Sequence, residues 1–172
     1  MSSKVILIGP PGAGKSTVGR VLAKRLNLDF IDTDKKIEER AGKTIGEIFT
    51  EDGEAHFRAV EREIVIDALS SETGVVALGG GSVLDAEVQN LLREEPFVIF
   101  LEVSISNAGP RVGFNRERPL LMVNPRQRWI QLMEERRPIY EGLARFTFST
   151  DNRKAEEVVN EMLSSSFSKA YL

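Results

Sequence analysis

The sequence predicts an α/β protein: five short strands in one parallel sheet, flanked by helices, with a phosphate-binding loop and a lid. Three observations carry this. Short apolar runs alternate with helix-patterned segments along the 172 residues, a G-x-x-x-x-G-K-[ST] loop directly follows the first run, and a proline- and arginine-rich segment interrupts the last third. Strands apolar at every position need cover on both faces, and helices between parallel strands supply it.

The first strand is Val5-Ile6-Leu7-Ile8, and Gly9-Pro10-Pro11-Gly12-Ala13-Gly14-Lys15-Ser16 follows it. Glycines let this backbone curl so that successive N–H groups point inward at phosphate oxygens. Lys15 adds charge for the outer phosphates, Ser16 offers a hydroxyl suited to Mg²⁺, and the following helix contributes the partial positive charge of its N-terminus. The loop in its strand-loop-helix setting implies binding of a nucleoside triphosphate. Val18, Val21, Leu22 and Leu26 recur at helical spacing, with Asn27 as the stop.

Phe30-Ile31-Asp32 reads as a second buried strand ending in Asp32-Thr33-Asp34. Two carboxylates at the carboxyl end of a strand sit where α/β sheets bind ligands. Asp34 also suits the N-cap of a helix over Lys35 to Arg40, so it reads as a cap, a ligand contact or both. Gly42 interrupts that helix, and Thr44-Ile45-Gly46-Glu47 has the spacing of a capping box opening a short helix through Phe49. From Glu54, Phe57, Val60, Ile64 and Ala68 mark one face of a longer helix. Arg58 and Arg62 lie on a neighbouring stripe; solvated ion pairs account for Arg62. His56, the single histidine, reads as structural or surface.

Val75 to Leu78 is a third apolar strand, and Gly79-Gly80-Gly81-Ser82 follows it. Three consecutive glycines lose much backbone entropy on folding, which fits a loop that something approaches closely or that needs positive φ. A helix over Asp85 to Arg93 ends before Pro96, and Phe97 to Leu101 is the most hydrophobic strand. Ser104 to Pro125 has little periodicity, as expected of a lid that excludes water during phosphoryl transfer. Trp129, Leu132, Met133 and Arg136 mark a helix closed by Pro138, Phe146 to Ser149 a fifth strand, and Lys154 to Leu163 a last helix before a frayed, serine-rich tail. The expected organisation is a single domain over 1–172, with its core at 4–103 and 125–163, substrate-binding helices at about 33–61, a lid at about 109–124 and a tail at 164–172.

Composition narrows the partners. With 41% apolar residues a normal core can form, and a formal charge of -3 offers no basic field for nucleic acid. Cysteine is absent, which excludes disulfides and thiolate metal sites. No apolar run spans a bilayer and no signal-like segment precedes the first strand, so a cytoplasmic protein without membrane partners is expected. A monomer is expected too, since no helix shows an obvious exposed apolar face. Switch GTPases need D-x-x-G and N-K-x-D segments, neither of which is present, and the strand at Val75 ends in glycines where motors place acidic residues. Phosphoryl transfer to a small acceptor remains. Asp34, Arg58, the Gly79 to Gly81 loop and Arg136 together would select a small polyhydroxylated acid, provided that they converge.

The motifs resemble those of shikimate kinases, in order and at family spacing from about residue 4 to residue 160. They are the loop through Thr17, Asp32-Thr33-Asp34, Gly53-Glu54-x-x-Phe57-Arg58-x-x-Glu61, Leu78-Gly79-Gly80-Gly81, Arg118-Pro119-Leu120-Leu121 and Arg136-x-Pro138-x-Tyr140. The resemblance implies a P-loop kinase fold of the nucleoside-monophosphate-kinase type with sheet order 2-3-1-4-5. It also implies transfer of the ATP γ-phosphate to the 3-hydroxyl of shikimate in aromatic amino-acid biosynthesis. By motif position, Asp34 would hold the acceptor hydroxyls and serve as base, Arg58 and Arg136, assisted by the backbone at Gly80 and Gly81, would clamp the carboxylate, and Gly79 would line the same substrate site. Lys15 and the lid residue Arg118 would neutralise charge on the transferred group. Gly12, Ala13, Gly14, Lys15, Ser16 and Thr17 would cradle the phosphates of ATP, with Ser16 and Asp32 serving Mg²⁺. Arg111 and Arg153 align with adenine contacts, and Glu61 would partner Arg58. A gluconate-type or nucleotide kinase, and a non-catalytic nucleotide-binding regulator, are the competing readings.

Overall fold

A computed structural model describes residues 3–70, 73–112 and 124–172. The chain runs β1 (Ser3–Ile8), α1 (Lys15–Leu26), β2 (Phe30–Asp32), α2 (Thr33–Ala41), α3 (Ile45–Asp52), α4 (Glu54–Ser70) and β3 (Thr73–Ala77). A 3-10 turn (Ser82–Leu84), α5 (Ala86–Arg93), β4 (Val98–Glu102) and α6 (Ile105–Val112) follow. After the undescribed stretch come α7 (Pro125–Leu143), β5 (Phe146–Ser149), α8 (Ala155–Leu163) and α9 (Ser166–Tyr171). The strands pair in parallel in the order β2-β3-β1-β4-β5, with Val5 opposite Val75, Ile6 opposite Val98 and Ile31 opposite Val76.

Val5 to Ile8 in β1 and Val98 to Leu101 in β4 are buried at every position, because helices cover both faces of the sheet. This central order places the end of β1 between β3 and β4, where connections leave in opposite directions and open a crevice at the carboxyl edge. The main hydrophobic cluster fills both sides of the sheet. A separate, smaller one forms among α2, α3 and α4 from Ile37, Ile45, Ile48, Phe57 and Ile64.

Several helix ends follow local chemistry. Asn27 adopts a left-handed conformation (φ 55°) and closes α1, and Thr44 with Glu47 forms the capping box of α3. Others depart from expectation. The N-cap of α2 is Asp32, not Asp34: its Oδ1 accepts from the Asp34 and Lys35 amides. The short helix from Thr44 continues beyond Phe49 to Asp52, where Gly53 closes it. Ser104 to Pro125 does not begin irregularly, for α6 occupies Ile105–Val112 with Pro110 inside it, Ala108 and Gly109 buried, and Ala108 and Val112 packed toward Gly12 of the phosphate loop. The remainder of the expected lid, 113–123, lies outside the described residues.

Pro138 does not end its helix. Continuation through Pro138 forfeits one backbone hydrogen bond, at about 3 kcal/mol for an interior proline. The added turns bury Tyr140 and Leu143, with the Tyr140 ring stacked on Phe100 at 5.2 Å, and that burial offsets the loss. Nor is the tail frayed: Phe167 is fully buried between Phe97 and Phe146, and Tyr171 packs on it, so α9 docks as an aromatic plug. Burial there raises the Tyr171 phenol above its ordinary value. Among the described residues no helix is long and apolar enough to cross a membrane.

Candidate functional site

The phosphate loop leaves β1 and curls through left-handed Gly12 (φ 83°) and Gly14 (φ 84°) into the first turn of α1. The Lys15 ammonium lies across the loop, donating to the Gly9 and Pro10 carbonyls at 2.8 and 2.9 Å. Ser16 Oγ donates to Asp32 Oδ2 at 2.7 Å. Since the other oxygen of Asp32 caps α2, this carboxylate is fixed from both sides with its Oδ2 beside the serine. A hydroxyl and a carboxylate side by side are hard oxygen donors that fit Mg²⁺. Among the described residues no group of three or more acidic, histidine or cysteine side chains could hold a metal.

Because Asp32 is the cap, Asp34 has another role in the geometry. A Cβ on Gly79 would stand 2.5 Å from Asp34 Oδ1 and 3.1 Å from Glu61 Oε2, and one on Gly81 would collide with the Arg58 guanidinium. At Gly80 a Cβ would lie 3.5 Å from Arg136 Nη1. None of the three glycines has a positive φ. They are needed for close approach: Asp34, Arg58 and Arg136, drawn from α2, α4 and α7, converge on this one segment at the end of β3. Thr33, fully buried, locks it in place by donating to the Ala77 carbonyl at 3.2 Å and accepting from the Gly79 amide at 3.3 Å.

The two arginines are held differently. Arg58 Nη1 donates to Glu61 Oε1 at 2.7 Å, one helical turn on, and the guanidinium sits 5.2 Å from the Phe57 ring centroid. Arg136 is only 4% exposed, and among the described residues nothing hydrogen-bonds its Nε. A buried guanidinium with an unused N–H is costly unless an anion completes it. Arg62 pairs with Asp85 at 3.2 Å and with Glu87, in keeping with a surface ion-pair role, and His56 is exposed.

A cleft of about 410 Å³ opens between the loops, lined among others by Gly12, Lys15, Ser16, Asp32, Asp34 and Arg111. Arg111 closes one end, donating to the Gly12 carbonyl at 3.2 Å, to Thr150 Oγ1 at 2.9 Å and to the Thr150 carbonyl at 2.7 Å. Buried Thr150 in turn donates to the Ala13 carbonyl at 2.9 Å. Arg153 is not among the lining residues. It donates to the Ser149 and Glu157 carbonyls and pairs with Glu161, which draws it along α8. Arg118 lies outside the described residues.

Three contacts have no counterpart in the sequence reading. Thr150 bridges Arg111 to the phosphate loop, Trp129 Nε1 donates to the Pro11 carbonyl at 2.9 Å, and Tyr140 Oη donates to the Gly80 carbonyl at 2.6 Å. Only the tryptophan left a signal. A lone Trp on an apolar helix face must place its N–H somewhere when buried.

Comparison with known proteins matches residues 11–166 to a family model described as shikimate kinase. The shikimate kinase of Thermobifida fusca is 54% identical over 91% of this chain and 92% of that protein. That of Streptomyces coelicolor is 47% identical over 92% of each. Among solved structures, shikimate kinase from Acinetobacter baumannii in complex with shikimate superposes with a TM-score of 0.92 at 34% identity, covering 97% of this chain and 94% of that one. A gluconokinase from Sinorhizobium meliloti, at TM-score 0.57 and 21% identity, shares the fold alone.

Proposed function

This chain belongs to the shikimate kinase family, and from that premise we infer how its residues carry out the family's reaction. It is an ATP-dependent kinase that transfers the γ-phosphate of ATP to the 3-hydroxyl of shikimate, giving shikimate 3-phosphate. The observation that carries the assignment of residues is the convergence of two guanidiniums and one carboxylate on the Gly79 to Gly81 backbone.

Arg136 and Arg58 grip the shikimate carboxylate, with the Gly80 and Gly81 backbone beside it. The buried Arg136 Nε supports this, because an anion there would turn an unsatisfied donor into a charge-assisted bond. Glu61 holds Arg58 in the orientation its anion needs. Asp34, packed against Gly79, accepts the proton of the attacking hydroxyl. The oxygen forms its bond to the γ-phosphorus as the bond to the β–γ bridging oxygen breaks, and ADP leaves with the electron pair.

The inward N–H groups from Gly12 to Thr17 hold the phosphates. Lys15 exchanges its carbonyl partners for the phosphoryl oxygens and stabilises their charge. Ser16, with Asp32 beside it, would hold Mg²⁺, which would supply positive charge to the phosphates when bound. Arg111 forms the wall nearest the nucleotide base, and Arg118, by motif position, would neutralise charge on the transferred group. The test is ADP release from Mg-ATP with shikimate, with gluconate and with a nucleoside monophosphate. Stimulation by shikimate alone is expected. Stimulation by gluconate or the monophosphate instead would overturn the acceptor assignment while leaving nucleotide binding intact.

A further inference from the structure

Helix α7 presents three polar side-chain tips on one face, one at the phosphate loop and two at the glycine segment. Its buried positions are Trp129, Met133, Arg136, Tyr140 and Leu143, a spacing that keeps them on one stripe of a helix. The indole of Trp129 bonds the Pro11 carbonyl of the phosphate loop, and the phenol of Tyr140 bonds the Gly80 carbonyl of the glycine segment. One loop holds the phosphoryl donor and the other the acceptor. The two anchoring residues stand about 16 Å apart along the helix axis at about 1.5 Å per residue. Arg136, between them, reaches toward Gly80.

The glycine segment has no side chains with which to fix itself; Gly80 lies against the phosphate loop, where a Cβ on it would stand 3.1 Å from Pro11 Cδ and 3.3 Å from the Gly9 carbonyl oxygen, and its other supports come from neighbouring elements. Thr33 holds Gly79 from the β2 side, and Tyr140 holds Gly80 from the opposite side. Phe100 fixes the phenol ring by stacking at 5.2 Å, and phenol and indole are both buried, so neither bond competes with water. The path of the helix through Pro138 now has a reason, because a helix ending there could not bring Tyr140 to Gly80.

We propose that α7 is a strut that braces the adjoining donor and acceptor loops against one helix face, with Tyr140 and Trp129 as positioning residues for the shikimate and ATP sides respectively. This rests on the reaction assigned above, and it is in-line transfer that makes the spacing matter: misplacement by about 1 Å lowers rates by about 100-fold. Neither residue touches a reacting atom. Each acts through the backbone carbonyl that it holds.

Tyr140→Phe removes the phenol donor and keeps the ring; Trp129→Phe removes the indole donor. In amide hydrogen exchange on the full chain without ligands, Tyr140→Phe should speed exchange across residues 79–84 by about fivefold to tenfold while leaving 9–16 unchanged, the loss of one buried hydrogen bond. Trp129→Phe should do the reverse. In steady-state kinetics Tyr140→Phe should raise KM for shikimate by a similar factor of about fivefold to tenfold with KM for ATP unchanged, and Trp129→Phe the opposite. Leu143→Ala, on the same buried face but touching neither loop carbonyl, should lower Tm without this split. Both loops loosening together in each variant, or neither loosening, would overturn the strut, and either variant alone can deliver that result. Absence of shikimate turnover by the unaltered protein would remove the reaction assignment, while the exchange experiment would still decide the strut.

Discussion

The two sides of the cleft stand on unequal foundations. The phosphate loop rises from β1 and enters α1 within the large cluster that includes Ile8, Ala13, Val18 and Leu22. Arg58 on the acceptor side projects from α4 beside Phe57, whose neighbours are the small cluster of Ile37, Ile45, Ile48 and Ile64. Arg136 belongs to α7, whose buried face is part of the large cluster. The proposed carboxylate clamp thus draws one arginine from each core. A site built this way keeps its nucleotide loop rigid while one jaw of its acceptor pocket can loosen independently, since opening free energy follows local buried contact.

The largest break in this arrangement should come from Asp34→Asn, which removes the proposed proton acceptor but keeps the shape against Gly79. Turnover is expected to fall about 10²–10⁴-fold with ATP affinity retained, measured by steady-state kinetics and nucleotide titration. Near-normal turnover would remove Asp34 as base. Phe57→Ala should destabilise by about 3–5 kcal/mol in denaturant unfolding. Because Phe57 sits in the small cluster, KM for shikimate should rise while KM for ATP holds; a matched rise in both would show that the two clusters behave as one unit.

Truncation of the clamp sharpens the comparison further. Arg136→Ala should weaken shikimate binding by about 2–5 kcal/mol in calorimetry, the range for a buried charge-assisted contact. Arg58 is more exposed, at 24% of its side chain against 4% for the whole of Arg136, so Arg58→Ala should weaken it less, by about 1.5–3 kcal/mol. The reverse order would place the dominant jaw in the small cluster.

The smallest effect concerns Lys43, which pairs with Glu51 and Asp52 at the outer end of the acceptor helices. The hydrogen bond from Lys43 lowers the Asp52 carboxyl from its ordinary 3.8, and the same bond raises the Lys43 ammonium above 10.5. A lowered carboxyl contributes stability above its unfolded value that disappears as pH falls through the folded one, below 3.8. The raised ammonium contributes fully below 10.5 and loses its share as pH rises beyond it. Lys43→Met should return the Asp52 titration, followed by NMR, to its usual range and leave both KM values unaltered.

Much of the frame was legible because it is written locally. An apolar run of β-branched residues is a buried strand wherever it occurs, and the phosphate loop is one contiguous segment whose backbone conformation Gly12 and Gly14 permit. The stop at Asn27 and the capping box at Thr44 are likewise decided within a few residues. Misreadings fell where local signals conflict with distant packing. Pro138 breaks an isolated helix, but Tyr140 and Leu143 bury on continuation; serines suggest a loose tail, but Phe167 finds Phe97 and Phe146. Asp32 and Asp34 flank the start of the same helix, and only the position of Ser16 on another element shows which of them also serves the phosphate loop.

Residue order by itself determined the strand count, the triphosphate loop and the identity of the polar groups available for an acidic polyol, because each depends on residue type and spacing along one stretch. Only the tertiary structure decided that Asp34, Arg58 and Arg136 meet at Gly79 to Gly81, that these glycines are there for room and not for φ, and that α7 ties both loops together. Those contacts join residues far apart in the chain. Their geometry is set by how helices pack on a sheet, which no local pattern of side chains encodes.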